Sequence, residues 1–338
     1  MPSLARGLGA AVLAAVALVL PAAVPAAADA GSPQSFTIED KRITESSGLA
    51  ASRAHPGVFW THNDSDDGPY VYAVDSATGR TVATVTLKGI DPRDVEAVSV
   101  GPDGQVYVGD IGDNLGGTWP EVWIYRFPEP KKLKDTTVTP VRYTVRYDGG
   151  PRDAESLMVH PKTGRVYIVS KNEEGGGLYE GPAELSASGV NTFKRIAGID
   201  LWATDGAFSP DGTRLVVRSY FEARAYSWSS DGKVAPVGRP SLPMQRQGES
   251  VSFTPDGAAL MYGTEGAQSR VTRVALHGKM LPVSAAEAAE DEQDGGDGKN
   301  GDGGGADGDQ DRNLVVGALT FAAAAVLALG LRRLIRRR

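Results

Sequence analysis

Glu96, Glu155 and Glu249 each stand two residues before an apolar anchor, Val98, Leu157 and Val251, inside a phrase that recurs along the chain. Carboxylates placed at one point of a repeat converge if the repeat closes into a ring. Several of them on one axis repel each other and lose hydration, a cost that a cation, a basic partner or protonation must offset. Calcium suits such a set, because it takes roughly 6–8 oxygen ligands in loose geometry. Asp94 and Asp153 precede two of the glutamates, while the fourth and first copies carry Asp205 and Glu45 instead. These seven acids are the candidate metal ligands. The competing reading is a polar plug, in which the acids bind backbone amides or pair with Arg93, Arg152, Lys171, Arg218 and Arg246.

The elements that must position these groups are short strands. Five copies of the phrase run from Glu45 to Leu49, Asp94 to Val98, Asp153 to Leu157, Thr204 to Phe208 and Gln247 to Val251, with anchors 43 to 59 residues apart. Each leads into a strand and then a turn such as Gly101-Pro-Asp-Gly104 or Ser209-Pro-Asp-Gly212, where Pro presets φ and Gly accepts φ > 0. Four strands fit each repeat except the fifth, which has three, and a spare strand at Ser35 to Asp40 precedes the first copy. The expected fold is therefore all-β, a five-bladed β-propeller closed by its N-terminal strand, with six blades as the alternative if further strands lie around Pro128 to Pro140.

In such a ring the loop entering the first strand and the loop between the second and third share a face. That face would gather the metal set with a ligand-binding set of Asn63, Asp64, Asp110, Asp113, Asn114, Lys171, Asn172, Arg218 and Arg246. The Pro-Gly turns go to the opposite face as plain connections. The run Asn63-Asp-Ser-Asp-Asp-Gly68 has spaced oxygens, but Val74 stands where a calcium loop needs its bidentate Glu. The four histidines show no metal spacing, and no Gly-x-Ser-x-Gly elbow or Gly-rich phosphate loop occurs. Trp119 is a further candidate to line a ligand site.

The ends of the chain read as targeting segments. Residues 1–30 carry a basic Arg6, an apolar run and small-residue cleavage sites, the pattern of an export signal. The propeller domain is expected over 35–283 and an acidic Gly/Asp-rich flexible linker over 284–312. Residues 313–331 read as a membrane span and 332–338 as a basic cytoplasmic tail, which makes the chain a single-pass type I membrane protein with its propeller outside. No cysteine is present, so neither disulfide nor thiolate chemistry is available. A net charge of −7 without a basic stripe argues against nucleic acid as a partner. An extracellular ligand or envelope protein, bound by a monomer, is the expected partner.

The phrases from Glu45 to Leu49, Asp94-x-Glu96, Gly109 to Asn114, Asp153 to Glu155 and Gln247 to Ser250 resemble secreted actinobacterial propellers of the phytase-like and WD40 (TolB-like) groups. Propeller phytases and calcium-activated nucleotidases are similar in placing acids at the axial mouth. That resemblance implies calcium on Glu96, Glu155 and Glu249, with Lys171, Arg218 or Arg246 meeting phosphate in a calcium-dependent phosphoester hydrolase. The reading from the residues themselves is a binding module with an acidic axial face.

Overall fold

The structure, a computed structural model, describes residues 32–64 and 67–296, with the backbone alone for 292–296. The expected export signal, membrane span and basic tail lie outside the described residues, as do Ser65 and Asp66. Among the described residues no helix is long and apolar enough to cross a membrane.

The described chain is nearly all strand. A short β1 (Phe36–Thr37) comes first. The strands β2 (Ser46–Ala51), β3 (Val58–Asn63), β4 (Tyr70–Asp75) and β5 (Thr81–Leu87) then form an antiparallel run. The next run is β6 (Val95–Val100), β7 (Gln105–Asp110) and β8 (Val122–Pro128), completed by β10 (Val141–Tyr147), with β9 (Thr136–Val138) left out. A third comprises β11 (Ala154–Val159), β12 (Val166–Ser170), β13 (Gly176–Glu180) and β14 (Val190–Ile199). A fourth comprises β15 (Asp205–Phe208), β16 (Arg214–Arg218), β17 (Ala223–Trp228) and β18 (Val234–Gly238).

The last run, β19 (Gly248–Phe253), β20 (Ala259–Thr264) and β21 (Arg270–Ala275), takes its fourth strand from the other end of the chain. There β1 pairs antiparallel with β21, Phe36 opposite Val271 and Thr37 opposite Arg270. The stretch around Pro128 to Pro140 contributes β9, which adds in parallel to the outer edge of β5. Outer strands β10 and β14 also pair in parallel, joining the second and third runs.

The first strands pack in a circle: β2 beside β6, β6 beside β11, β11 beside β15, β15 beside β19, and β19 beside β2. This arrangement is a β-propeller. Each apolar layer is shared between consecutive runs. Trp60, Val71 and Val85 meet Val98, Val106 and Tyr125 in one, and Phe36, Ile38 and Val271 meet Leu49, Phe59 and Tyr72 in the layer that joins the chain's ends. A strand covered on both faces needs no polar alternation. Accordingly β3, β11 and β19 are buried along their whole length. The Pro-Gly turns behave as expected, with Gly57, Gly104, Gly164, Gly212 and Gly257 at φ between 68° and 81°.

The expected linker departs from its reading at its start, where helix α1 spans Val283–Gly296. Ala285, Ala286, Glu287, Ala288, Ala289 and Glu290 are strong helix formers, a local preference that the Asp and Gly content further on obscures. Ala285 is buried, and the Ser284 amide donates to Asp211 Oδ2 at 3.0 Å.

Ile38 is fully enclosed, and its amide donates to the Ser269 carbonyl at 2.9 Å, so it holds both ends of the chain together. Ile38→Ala is expected to cost about 2–5 kcal/mol in urea unfolding. An unchanged midpoint would show that the ring does not depend on this closure.

Candidate functional site

One group of carboxylates has the spacing a cation needs. Oxygens of Asp64, Asp94 and Glu96 lie within 4.8 Å of one another, the one such group of three among the described residues. Asp64 follows the end of β3 and its amide donates to the Glu45 carbonyl at 2.9 Å; Asp94 and Glu96 sit at the start of β6. The group therefore spans the seam between two runs. Asp94 Oδ2 accepts from Asn114 Nδ2 at 3.1 Å, whereas its buried Oδ1 has no hydrogen-bond partner. Ser47 Oγ donates to the Glu96 carbonyl at 3.3 Å and to its Oε2 at 3.4 Å.

Two features of the surroundings match a hard cation. Gly112 lies over the acids, and a Cβ there would come within 2.5 Å of Asp94 Oδ2 and 2.7 Å of Glu96 Oε1. A cavity of about 20 Å³ lined by Asn63, Asp64, Arg93 and Asp94 adjoins them, room for one water-sized species. Burial pushes the Asp94 carboxyl up to about 7, with the charges of Asp64 and Asp153 adding to the shift, and burial likewise pushes Glu96 well above its ordinary range. A donor set made entirely of oxygens, with one of them orphaned, fits calcium.

The other half of the mouth already holds a cation. Lys171 Nζ forms a close ion pair with Glu155 and donates to Tyr220 Oη at 2.9 Å. Burial opposes the ammonium, but the charge and hydrogen bond of Glu155 prevail and keep it charged. Burial pushes Glu155 upward while Lys171 pulls it back, and Lys171 also draws Glu96, Glu249 and Asp153 down. Glu249, pushed up to about 8 by burial, accepts from Gln247 Nε2 at 2.9 Å. The trio expected from repeat symmetry, Glu96, Glu155 and Glu249, is thus not the group that meets at ligand distance. Lys171 belongs to a single copy and breaks the symmetry.

Several predicted site residues hold the scaffold instead. Asp205 accepts from the amides of Gly206 (2.7 Å) and Val251 (2.8 Å), and Asp153 accepts from the Asp113 amide at 2.9 Å. Asp110 accepts from the Asp94 amide (2.9 Å) and Tyr125 Oη (2.8 Å), and Asp113 accepts from the Trp119 amide at 2.6 Å. Asn63 Oδ1 caps the amides of Thr44 and Glu45 at 3.0 and 3.1 Å. Glu45 is half-buried beside that cap, and Asn172 is exposed, accepting from the Glu174 amide at 2.8 Å.

Of the three bases expected to meet phosphate, Arg218 is 1 % exposed and donates to the carbonyls of Ser219, Ser250 and Gly263. Lys171 is committed to Glu155, and Arg246 alone is exposed. Trp119 stacks on Arg93, whose guanidinium lies 4.1 Å from that ring and 3.6 Å from the ring of Trp123.

Sequence reasoning passed over Gly112, Tyr220 and His62. The His62 ring is fully buried beneath the mouth, where Nε2 accepts from the Gly48 amide at 3.1 Å; burial pushes it down to about 4. The Gly109 to Asn114 phrase carried a signal for Gly112, since a glycine between two acids leaves room for carboxylates from elsewhere. Among the described residues the three most exposed large apolar side chains, Met244 (104 %), Phe221 (79 %) and Leu115 (75 %), also belong to loops of this face.

No protein-family model and no curated protein matches the chain. Solved structures give loose likenesses. The PQQ-bound aldose sugar dehydrogenase of Streptomyces coelicolor aligns at 12% identity over 72% of this chain and 99% of that one, with a TM-score of 0.43. The Kuenenia stuttgartiensis hydrazine synthase aligns at 13% identity over 64% of this chain and 61% of that one, with a TM-score of 0.38. The WD40 repeats of RRP9 align at 12% identity over 68% and 67%, also at 0.38. No function is carried over from likeness at this level.

The raised carboxyls set a sign for stability against pH. Asp94 and Glu249 release their protons near 7 and 8 when folded but near 3.8 and 4.5 when unfolded, so the folded state holds more protons between those limits. His62 acts in the opposite sense below its ordinary value of 6.5. From pH 6.5 to 8 the opposing contribution of His62, and of His160, which burial also pushes down, fades while the acids titrate, and with chelator present the melting temperature is expected to fall across that window. Asp94→Asn should flatten the fall; a melting temperature that rises with pH would contradict the assignment.

Proposed function

We propose that this protein is a five-bladed propeller, held outside the membrane by its C-terminal segment, that binds an extracellular ligand or envelope protein through its axial acidic face with calcium as the bridging ion. Asp64, Asp94 and Glu96 would hold the ion. The reading rests chiefly on one observation: within a carboxylate trio at ligand spacing, the buried Oδ1 of Asp94 has no hydrogen-bond partner. A bound calcium supplies positive charge that offsets the repulsion among the three acids and leaves coordination positions for an incoming oxygen. Leu115, Phe221 and Met244 support a macromolecular partner, because apolar side chains exposed around a polar centre are the usual makeup of an interaction surface. Location outside the cell follows from the targeting signals of the sequence.

The calcium-dependent hydrolase reading has weaker support. Arg218 is enclosed and Lys171 paired, so neither is placed to neutralise a phosphate, and a phosphoester screen with and without chelator separates that reading from a binding module.

Calcium at millimolar concentration is expected to raise the melting temperature of the protein, by mass action on the folded state. Asp94→Asn and Glu96→Gln should each remove the shift, while Arg246→Gln should keep it. Absence of any shift in the unsubstituted protein would remove the ion from the proposal.

A further inference from the structure

At the opposite end of the axis the first strands and the Pro-Gly turns surround a second cavity, of about 380 Å³. Its wall includes Leu49, Val98, Val100, Val159, Phe208 and Phe253, drawn from every first strand of the ring. Hydroxyls also line it, but each is engaged within the wall. Ser99 Oγ accepts from the Val159 amide at 3.1 Å, and Ser252 Oγ accepts from the Ala51 amide at 3.2 Å and donates to the Phe253 carbonyl at 3.3 Å. Ser52 Oγ donates to Glu129 at 2.6 Å, and Thr254 Oγ1 bonds Asp256 and the Ala259 carbonyl. Bonds of this kind stitch the wall together, and the cavity offers an occupant both apolar side chains and polar edges.

One charge stands at the rim. Arg53 lines the cavity and has neither an ion pair nor a hydrogen bond among the described residues. Two acids act on it through space: Glu129, engaged by Ser52, the Ala54 amide at 3.0 Å and Trp60 Nε1 at 2.7 Å, and Asp103, which accepts from the Gln105 amide at 3.3 Å and Tyr107 Oη at 3.2 Å. The volume falls in the ~300–1,000 Å³ range of small-molecule sites, which combine an apolar body with a few polar groups that fix orientation.

We propose that this cavity is a binding site for a small monocarboxylate with an aliphatic or aromatic body, the body against the first strands and the carboxylate on Arg53. The site is separate from the acidic mouth, and its occupancy does not require calcium.

The test is isothermal titration of the full chain with octanoate and with uncharged octanamide, each with calcium and with chelator. Octanoate is expected to bind at least about tenfold tighter than octanamide, a difference of about 1.4 kcal/mol, and equally well under both conditions. Ala207→Phe, which fills the cavity from β15, should abolish binding of both ligands; its melting curve checks that it folds. Arg53→Gln, at an exposed position, should leave octanamide unchanged and bring octanoate down to the same affinity. No binding of octanoate, no preference over octanamide, or a preference that survives Arg53→Gln would each overturn the proposal. Loss of octanoate binding on chelation would overturn its independence from the acidic mouth.

Discussion

The inner edge of each first strand sets the terms for the rest of the molecule. A strand at the axis has one edge paired to its own run and another facing the next first strand, too far round the circle for a regular ladder. Backbone groups there are buried and must find partners, since leaving one unmet costs about 1–3 kcal/mol. Side chains provide them. The Val251 amide reaches Asp205, the Ala51 amide reaches Ser252, the Val159 amide reaches Ser99, and the Gly248 carbonyl receives Thr204. The recurring acid and hydroxyl positions are thus first a device for closing the ring.

Once that demand is met, the acids divide by what remains to them. Asp205, Asp110 and Asp113 spend their oxygens on amides and a tyrosine hydroxyl, and they are structural groups that happen to be carboxylates. Asp94 and Glu155 each keep one buried oxygen without a partner. Glu155 has Lys171 beside it and Asp94 does not, so the same burial produces an internal ion pair on one side and a carboxyl pushed up to about 7 on the other. Breaking a buried pair by removing one partner is far more costly than never building it. Lys171 is therefore as much part of the axis as the acids it faces.

Much of this was legible in the residues. The spacing of Leu49, Val98, Leu157, Phe208 and Val251 located every first strand, and the missing strand of the last repeat pointed to closure by the residues that form β1. What could not be read was lateral. Asp64 joins Asp94 and Glu96 across a seam, and that contact depends on how far round the circle two loops reach, which no periodicity records. Repeat symmetry favoured equivalent glutamates, and one lysine present in a single copy undoes the equivalence. The strand β9 falls in the stretch around Pro128 to Pro140 where further strands were allowed for, but its place could not be read, because it is short, partly exposed, and held by an edge of another run. Helix α1 was hidden by its company, a few alanines and glutamates ahead of a Gly/Asp tract.

The two ends of the axis illustrate one rule applied to different residues. At both ends the inner strands expose side chains toward a common space, and at both ends the seams consume whatever hydrogen-bonding capacity they need. Near the phrase starts the available groups are carboxylates, more numerous than the seams require, so the surplus is negative charge around Gly112. Near the Pro-Gly turns the available groups are serine and threonine hydroxyls, which the seams use up. What lines the space there is a mixed wall of apolar side chains and polar edges, with the guanidinium of Arg53 as its single charge. The contrast between an acidic mouth and a funnel with a single charged side chain thus follows from what each end has left after the ring is closed.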